Sequence, residues 1–101
     1  MTLKEIDALV HEKFFGLSKD QPVKEYTTNW SAAMDIATSM KNEWPDFCIH
    51  GTAEAHWQVC WGYDGHGWDG KHATTLPLAL CIAGLASKEH IIEPPYDEET
   101  K

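Results

Sequence analysis

The sequence has little positive charge. Its 101 residues include 8 lysine and arginine residues against 16 aspartate and glutamate residues, so the formal net charge is -8. The resulting field repels phosphate backbones and anionic lipid surfaces, which disfavours direct binding to nucleic acid or to a membrane. Such an acidic surface can instead attract a basic partner, or can simply keep a small protein soluble.

Long apolar runs and paired cysteines are also missing. No run approaches the roughly 18 residues that a membrane span needs, and the N-terminus has neither the basic start nor the apolar core of a signal peptide. We therefore expect the protein to stay in the compartment where it is made. The three cysteines, Cys48, Cys60 and Cys81, lie among apolar residues and cannot all pair within the chain, so we interpret them as reduced.

The sequence carries no recognised metal motif. Among its 6 histidines, His50, His56, His66 and His72 are close enough along the chain to suggest zinc. Zinc sites usually draw two ligands from a C-x-x-C or H-x-x-x-H spacing, which these residues do not form. We therefore expect solvent-facing histidines, no metal and no other cofactor.

Catalytic patterns are equally hard to find. Cys60 lies between tryptophans in a predicted strand, and Cys81 lies on the apolar stripe of a predicted helix. A reactive thiol instead needs an exposed, electropositive setting. Gly65, Gly67 and Gly70 do not have the spacing of a phosphate-binding loop, and no Lys-Ser or Lys-Thr follows them. We expect a protein without catalytic residues, and therefore not an enzyme.

The composition is sufficient for one small folded domain. Hydrophobic residues form 43% of the chain and charged residues 24%, as in ordinary globular proteins. A chain of this length supports a single hydrophobic core. We predict one domain over residues 1–92 and an acidic, flexible, proline-containing tail over residues 93–101.

Apolar residues at spacings of three and four predict three helices. The first spans residues 3–15, because Thr2 and Glu5 fit a capping box at its start and Gly16 ends it. Its outer face is expected to carry Lys4, Asp7, His11 and Glu12. Residues 17–28 have no sustained periodicity and predict a connector.

The second and third predicted helices have the same kind of boundaries. Thr28 or Asn29 caps the second helix, which Pro45 ends. Thr74 or Thr75 caps the third. The third helix is expected to bury one stripe, formed by Leu78, Cys81, Ile82 and Leu85.

Between these helices the period changes from 3.6 to 2, which predicts strands. Two strands over residues 46–53 and 55–63 form an antiparallel hairpin. No Asn-Gly or Asp-Gly turn marks its corner, so the register stays open. A third strand is left open at residues 23–26, and the glycine-rich stretch 64–72 predicts a loop.

Three blocks of sequence resemble the phage ABA-sandwich domain family: Thr2–Lys13 with Gly16, Trp30–Ile36, and Thr75–Leu85. The resemblance covers most of residues 2–86. It implies an α+β fold in which three helices pack on both sides of a small antiparallel sheet, an α/β/α sandwich-like arrangement. It also implies a phage accessory protein acting in the host bacterial cytoplasm, a class that includes inhibitors of host defence, and it supplies no catalytic residue.

Tryptophan is abundant, with 5 residues, and large aromatic side chains are favoured at the centres of protein interfaces. One interpretation is that Trp44, Trp57 and Trp61 fill the space between sheet and helices. The other is an acidic, aromatic surface that binds a basic, partly apolar partner. The predicted partner-binding residues are Glu54, Trp57, Trp61, Asp64, His66, Trp68 and Asp69.

These features favour a phage-encoded binding protein that inhibits a host protein. A nucleic-acid-binding defence effector of the CRISPR type is the leading partner, because an acidic domain could occupy its basic channel. Two alternatives stay open. One is a protein that binds or sequesters a small ligand, and the other is a homo-oligomeric phage accessory protein, such as a homodimer paired through the hairpin edge.

Overall fold

The computed structural model describes residues 1–51, 56–62, 68–94 and 96. In chain order its elements are α1 (Leu3–Leu9), a π-helical segment (Val10–Phe14), α2 (Trp30–Glu43), β1 (Cys48–Gly51), β2 (Trp57–Gly62), β3 (Trp68–Ala73) and α3 (Leu76–Ser87). The predicted α+β class, with three helices and a small antiparallel sheet, is confirmed. Among the described residues, no helix is both long and apolar enough to cross a bilayer.

The first helix begins as its sequence predicts and then changes type. The Glu5 amide donates to Thr2 Oγ1 at 3.2 Å, and the Thr2 amide donates to Glu5 Oε1 at 3.0 Å, which completes the capping box. From Val10 the helix widens to π geometry, and the Phe15 amide donates to the Val10 carbonyl at 3.1 Å. Gly16 ends the segment at φ +66°, a conformation that glycine adopts without steric cost.

Two residues of the predicted outer face are buried, which corrects that prediction. Asp7 is 7% exposed and His11 is 2% exposed. The connector between the first two helices covers them, because Asp7 Oδ1 accepts from the Thr27 amide at 2.8 Å. His11 Nε2 lies 2.6 Å from the Ser18 carbonyl oxygen. The connector therefore gives hydrogen-bond partners to the Asp7 carboxylate and to His11 Nε2, which helical periodicity assigns to solvent, whereas His11 Nδ1 is buried without one among the described residues.

The connector itself contains no strand at residues 23–26, so the open assignment of a third strand there is wrong. Asn29, rather than Thr28, caps α2, and its Oδ1 accepts from the Ala32 amide at 3.0 Å. The helix ends at Glu43, two residues before Pro45, as the restriction on residues preceding proline predicts.

The third strand is β3, which overlaps the stretch predicted as a loop over residues 64–72, so the loop prediction is wrong for residues 68–72. The sheet order is β1-β2-β3, and both pairs are antiparallel. Cys60 of β2 lies opposite Cys48 on one side and Gly70 on the other, which fixes the register. The sequence of β3 does not alternate between hydrophobic and polar residues. It forms a strand because it pairs with β2, and sequence periodicity therefore does not predict it. The predicted strands, 46–53 and 55–63, are longer than β1 and β2. Of the additional residues, 52, 53, 55 and 63 lie outside the described ones.

Helix α3 lies at the centre of the molecule. Every residue from Leu76 to Leu85 is buried, so the predicted single stripe understates its burial. One side of α3 packs on β2 and β3, and other sides pack on α2 and the π segment. The order of layers is therefore sheet, α3, then the remaining helices, whereas the family resemblance implies helices on both faces of the sheet. The other face of the sheet is not covered by any described helix.

Few residues of the predicted flexible tail fall within the described residues. Tyr96 is half-buried, packs against the core and donates its hydroxyl to the Ile92 carbonyl at 3.0 Å. Ile92, the last residue of the predicted domain, is 6% exposed. The tail prediction otherwise lies outside the described residues.

Candidate functional site

An exposed tryptophan stands where α2 begins. Trp30 is 53% exposed, and its ring meets the ring of Trp57 edge to face, with centroids 6.1 Å apart. Trp57 lies at the start of β2, opposite Gly51. A Cβ on Gly51 would lie 3.3 Å from the Trp57 ring, so the glycine makes room for this aromatic pair.

A groove of about 270 Å³ runs from Trp30 to the start of α3. Uncharged residues line it: Leu3, Thr27, Thr28, Trp30, Thr74, Thr75, Pro77 and Leu78. We call this feature, together with Trp57, the aromatic groove. Thr75 Oγ1 accepts from the Leu78 amide at 3.4 Å and so confirms Thr75 as the cap of α3. Apolar walls with a few hydroxyl groups are typical of recognition surfaces.

The first turns of α2 also carry a surface feature that contains charged side chains. A shallow depression flanks the first turns of α2 and contains Glu25 and Asp35. Lys24 is also in it, and its Nζ lies 3.5 Å from Asp35 Oδ2. Because both partners of that ion pair are more than half exposed, the pair contributes little stability and can exchange for other contacts.

The predicted partner-binding residues do not all reach one surface. Trp61 is 3% exposed and packs in the core, and Trp57 is partly buried against it. Trp68 and Asp69 lie on β3, opposite Gly62 and Trp61 respectively. The other three predicted residues, Glu54, Asp64 and His66, lie outside the described residues. The core-filling interpretation therefore describes Trp61 fully and describes Trp44 and Trp57, which pack partly buried against the core, in part. The wider surface stays a prediction.

Trp30 is the exposed aromatic residue that the predicted site leaves out. The buried positions of α2 are Ala32, Ala33, Ile36 and Met40. Trp30 precedes Ile36 by six residues, which at about 100° per residue places the two about 120° apart around the helix. The helical spacing of the buried residues thus places Trp30 at the edge of the buried face, where a side chain can be partly exposed.

A second group of side chains lies on the sheet face opposite α3, which we call the outer face. Strand alternation directs Val59 and Trp61 toward α3. The residues of the outer face are Cys48 and His50 from β1, Gln58 and Cys60 from β2, and Gly70 and His72 from β3. His50 and His72 are exposed and lie on opposite sides of Gln58. The ring of His72 also lies near that of His56, with centroids 5.8 Å apart.

The outer face brings two thiols and one imidazole together. Cys48 Sγ lies 3.3 Å from His50 Nε2, and one donor atom from each of Cys48, His50 and Cys60 lies within 4.8 Å of the others. Burial raises the pKa of the Cys60 thiol, and Cys48 raises it further through its charge and a hydrogen bond. Cys81 is separate: it is fully buried in α3, and burial raises its pKa well above the usual value.

Comparison with known proteins indicates a phage origin. The chain is similar to a phage protein from Bacillus cereus ATCC 14579, known from its crystal structure, with 25% sequence identity and a TM-score of 0.77. The match covers 92% of this chain and 93% of that one. No family model matches the chain, and no curated protein matches it. The phage association of the sequence resemblance is thereby supported, whereas membership of the ABA-sandwich domain family is not confirmed.

Proposed function

We propose that this chain is a phage-encoded, non-enzymatic protein that inhibits a host protein by binding to a basic, partly apolar surface. The observation that carries the proposal is the exposed Trp30, which stands beside Trp57 at the aromatic groove. Tryptophan contributes most to binding at the centre of an interface, where a partner removes its ring from water. A half-exposed indole next to an uncharged groove offers such a centre.

Charge determines the kind of partner. The chain has a net charge of -8, and the depression beside α2 contributes Glu25 and Asp35 at the edge of the proposed contact. A partner with clustered lysine and arginine residues would be attracted at long range and held at the rim by these carboxylates. Proteins that bind nucleic acid present such surfaces.

The partner class follows from these two features and from the phage setting. A nucleic-acid-binding defence effector of the host, of the CRISPR type, has a basic channel. Its inhibition would benefit the phage. The acidic domain would occupy part of that channel and compete with the nucleic acid. The similarity to a phage protein supports the setting, and the charge and the aromatic groove support the mode of binding.

Replacement of one side chain tests the proposal. Trp30→Ala removes the exposed ring, while Met34→Ala, one turn further along α2 and 37% exposed, is the matched control. Binding to purified effectors is measured together with phage plating on hosts that carry an active defence system. We expect Trp30→Ala to weaken binding by about 30-fold or more, the roughly 2 kcal/mol that defines an interface hot spot. It should also abolish protection of the phage, whereas Met34→Ala retains both properties.

Salt dependence supplies an independent check, because screening weakens attraction between opposite charges. The affinity of the wild-type chain should fall as ionic strength rises from low to physiological values. The proposal is overturned if Trp30→Ala binds and protects like the wild type, or if no nucleic-acid-binding defence system responds to the protein.

The aromatic groove also favours a second candidate function, the binding of a small uncharged molecule. Its volume of about 270 Å³ and its uncharged lining would suit a planar ligand stacked on Trp30. A thermal-shift screen distinguishes the two functions, since a specific ligand raises the melting temperature in proportion to the logarithm of its excess over Kd. Light scattering on the same samples detects the remaining alternative, a homo-oligomer.

A further inference from the structure

We propose that Cys48, His50 and Cys60 bind one thiophilic divalent metal ion of the zinc class on the outer face of the sheet. Their donor atoms, two sulfurs and one imidazole nitrogen, all lie within 4.8 Å of one another. This inference does not depend on the proposed inhibitory function or on the aromatic groove.

The backbone places these three ligands without any help from loops. Cys48 and His50 are two residues apart on β1, so strand alternation directs both side chains to the same face. Cys60 lies directly opposite Cys48 in the antiparallel pair of β1 and β2. Sites built on strands hold their ligands in position more firmly than sites on loops.

The distances are close to those that zinc requires. Zinc–sulfur bonds of about 2.3 Å and zinc–nitrogen bonds of about 2.0 Å, at tetrahedral angles, place neighbouring donors roughly 3.5 to 3.8 Å apart. Cys48 Sγ and His50 Nε2 are 3.3 Å apart, and no pair of donors exceeds 4.8 Å. Small rotations about the side-chain bonds, moving a donor by about 1 Å, would therefore complete the geometry.

There is room for this adjustment beside Cys60. Its neighbour on the other strand is Gly70, where a Cβ would lie 3.4 Å from Cys60 Sγ. Because Gly70 has no side chain, the sulfur of Cys60 can turn toward Cys48 or away from it. The exposed ring of His50 leaves the cluster open to solvent, so an ion can enter and a water molecule can take the fourth position.

The donor set selects the class of metal. Two thiolates and an imidazole bind Zn²⁺, Co²⁺ and other soft or borderline ions, whereas Mg²⁺ and Ca²⁺ prefer oxygen donors. No carboxylate belongs to the cluster among the described residues. Binding of a dication would displace the protons of the two thiols to solvent, and its charge would then neutralise the two thiolates.

The matched pair of histidines on the outer face makes the test specific. His50 on β1 and His72 on β3 are both exposed and both lie opposite Gln58, but within the described part of the chain the group of possible metal ligands includes His50 and not His72. The full chain is purified with a non-thiol reductant, stripped of metal with a chelator and titrated with Zn²⁺ against a chromophoric competitor. Co²⁺ is used in parallel, because thiolate coordination gives it a charge-transfer absorption.

We expect one equivalent of Zn²⁺ to bind to the wild type and to His72→Gln. In His50→Gln and in Cys48→Ser, Kd should rise by at least about 100-fold, beyond the usual effect of losing an outer-shell partner. Circular dichroism of the metal-free variants verifies their folds. If Cys48→Ser does not fold, His50→Gln carries the test, because its exposed side chain contributes little to packing.

Alkylation followed by mass spectrometry adds a readout at the level of single residues. Zn²⁺ should protect the half-buried Cys48 from alkylation, while the buried Cys60 and Cys81 are protected with or without metal. The proposal is overturned if wild type and His50→Gln bind Zn²⁺ equally, or if His72→Gln weakens binding as much as His50→Gln does. It is also overturned if the reduced chain takes up no Zn²⁺.

Discussion

Replacing Gly84 by alanine tests the packing at the centre of the molecule. Gly84 lies in α3, where a Cβ would meet Ile36 Cγ2 at 2.9 Å and two ring carbons of Phe14 at 3.1 Å. Both neighbours are well buried, at 0% and 7% exposure, so they have little freedom to move. Alanine gains about 1 kcal/mol of helix propensity, whereas overpacking a core costs about 1–3 kcal/mol.

Because the added methyl group meets two side chains at once, we expect overpacking to prevail by about 1–2 kcal/mol. In a chain of this size each kcal/mol lowers Tm by about 4–8 °C. Urea unfolding followed by tryptophan fluorescence measures the free energy of unfolding directly, and the slope of the transition reports whether the unfolded state has changed.

A double-mutant cycle identifies the cause of that loss. Ile36→Ala removes the Cγ2 atom that the new methyl group would meet and costs about 2–5 kcal/mol by itself. In that background Gly84→Ala should be neutral or stabilising, a coupling of at least about 1 kcal/mol. The packing at Gly84 is refuted if Gly84→Ala stabilises the otherwise unchanged chain, or if its cost is the same with and without Ile36.

Two further predictions concern a buried carboxyl group and a helix cap. Burial raises the pKa of Asp7 above 3.8, so the folded state disfavours its ionised form and the wild type loses stability as pH rises from about 4 through the folded pKa. Asp7→Asn keeps an acceptor for the Thr27 amide, so urea unfolding should show it more stable than wild type at pH 7 and equally stable near pH 3. Asn29→Ala should cost about 1 kcal/mol by loss of the α2 cap, while Thr28→Ala, the control, changes unfolding by less than about 0.5 kcal/mol.

The helix boundaries could be predicted from sequence because caps depend on a few adjacent residues. All three helix caps are hydrogen bonds between residues three positions apart: Thr2 with Glu5, Asn29 with Ala32, and Thr75 with Leu78. The sequence narrowed the second and third caps to two adjacent residues each. The change to π geometry at Val10 involves the same apolar spacing as an α-helix, so periodicity does not reveal it. The burial of Asp7 depends on its hydrogen bond with Thr27, a residue of the connector that lies twenty positions later in the chain. Local sequence patterns do not predict such a contact.

Strand β3 could not be predicted from its own residues, whereas the complete burial of α3 could have been. The residues 68–73 include a glycine, a lysine and a histidine, so their strand character comes from pairing with β2 rather than from their own pattern. In α3 the signal was present, because the ten residues from Leu76 to Leu85 contain no charged side chain. A helix that is apolar on every side is typically buried on every side. The prediction of a single buried stripe did not use this signal.

The Cys48, His50 and Cys60 cluster was missed because metal motifs are usually recognised by spacings suited to turns and helices. On a strand, ligands two residues apart share a face, so Cys48-x-His50 is the corresponding spacing for a sheet. Finding the third ligand requires the register of the hairpin, and its corner carries none of the dipeptides that fix a two-residue turn. The sequence spacing therefore contained two of the three ligands, Cys48 and His50, and the pairing of β1 with β2 supplies the third, Cys60.

The order of layers explains why such a cluster can exist in so small a protein. Since α3 packs on one face of the sheet and the other helices pack behind α3, the outer face receives no helix from the described part of the chain. A three-stranded sheet with one uncovered face gains little apolar burial there, and its strands are only 4 to 6 residues long. A metal ion held between β1 and β2 would join two strands on the face where hydrophobic packing does not, because binding energy for the folded state adds to folding stability. The same arrangement keeps His50 accessible to solvent while Val59, next to Cys60 on β2, is fully buried against the helices.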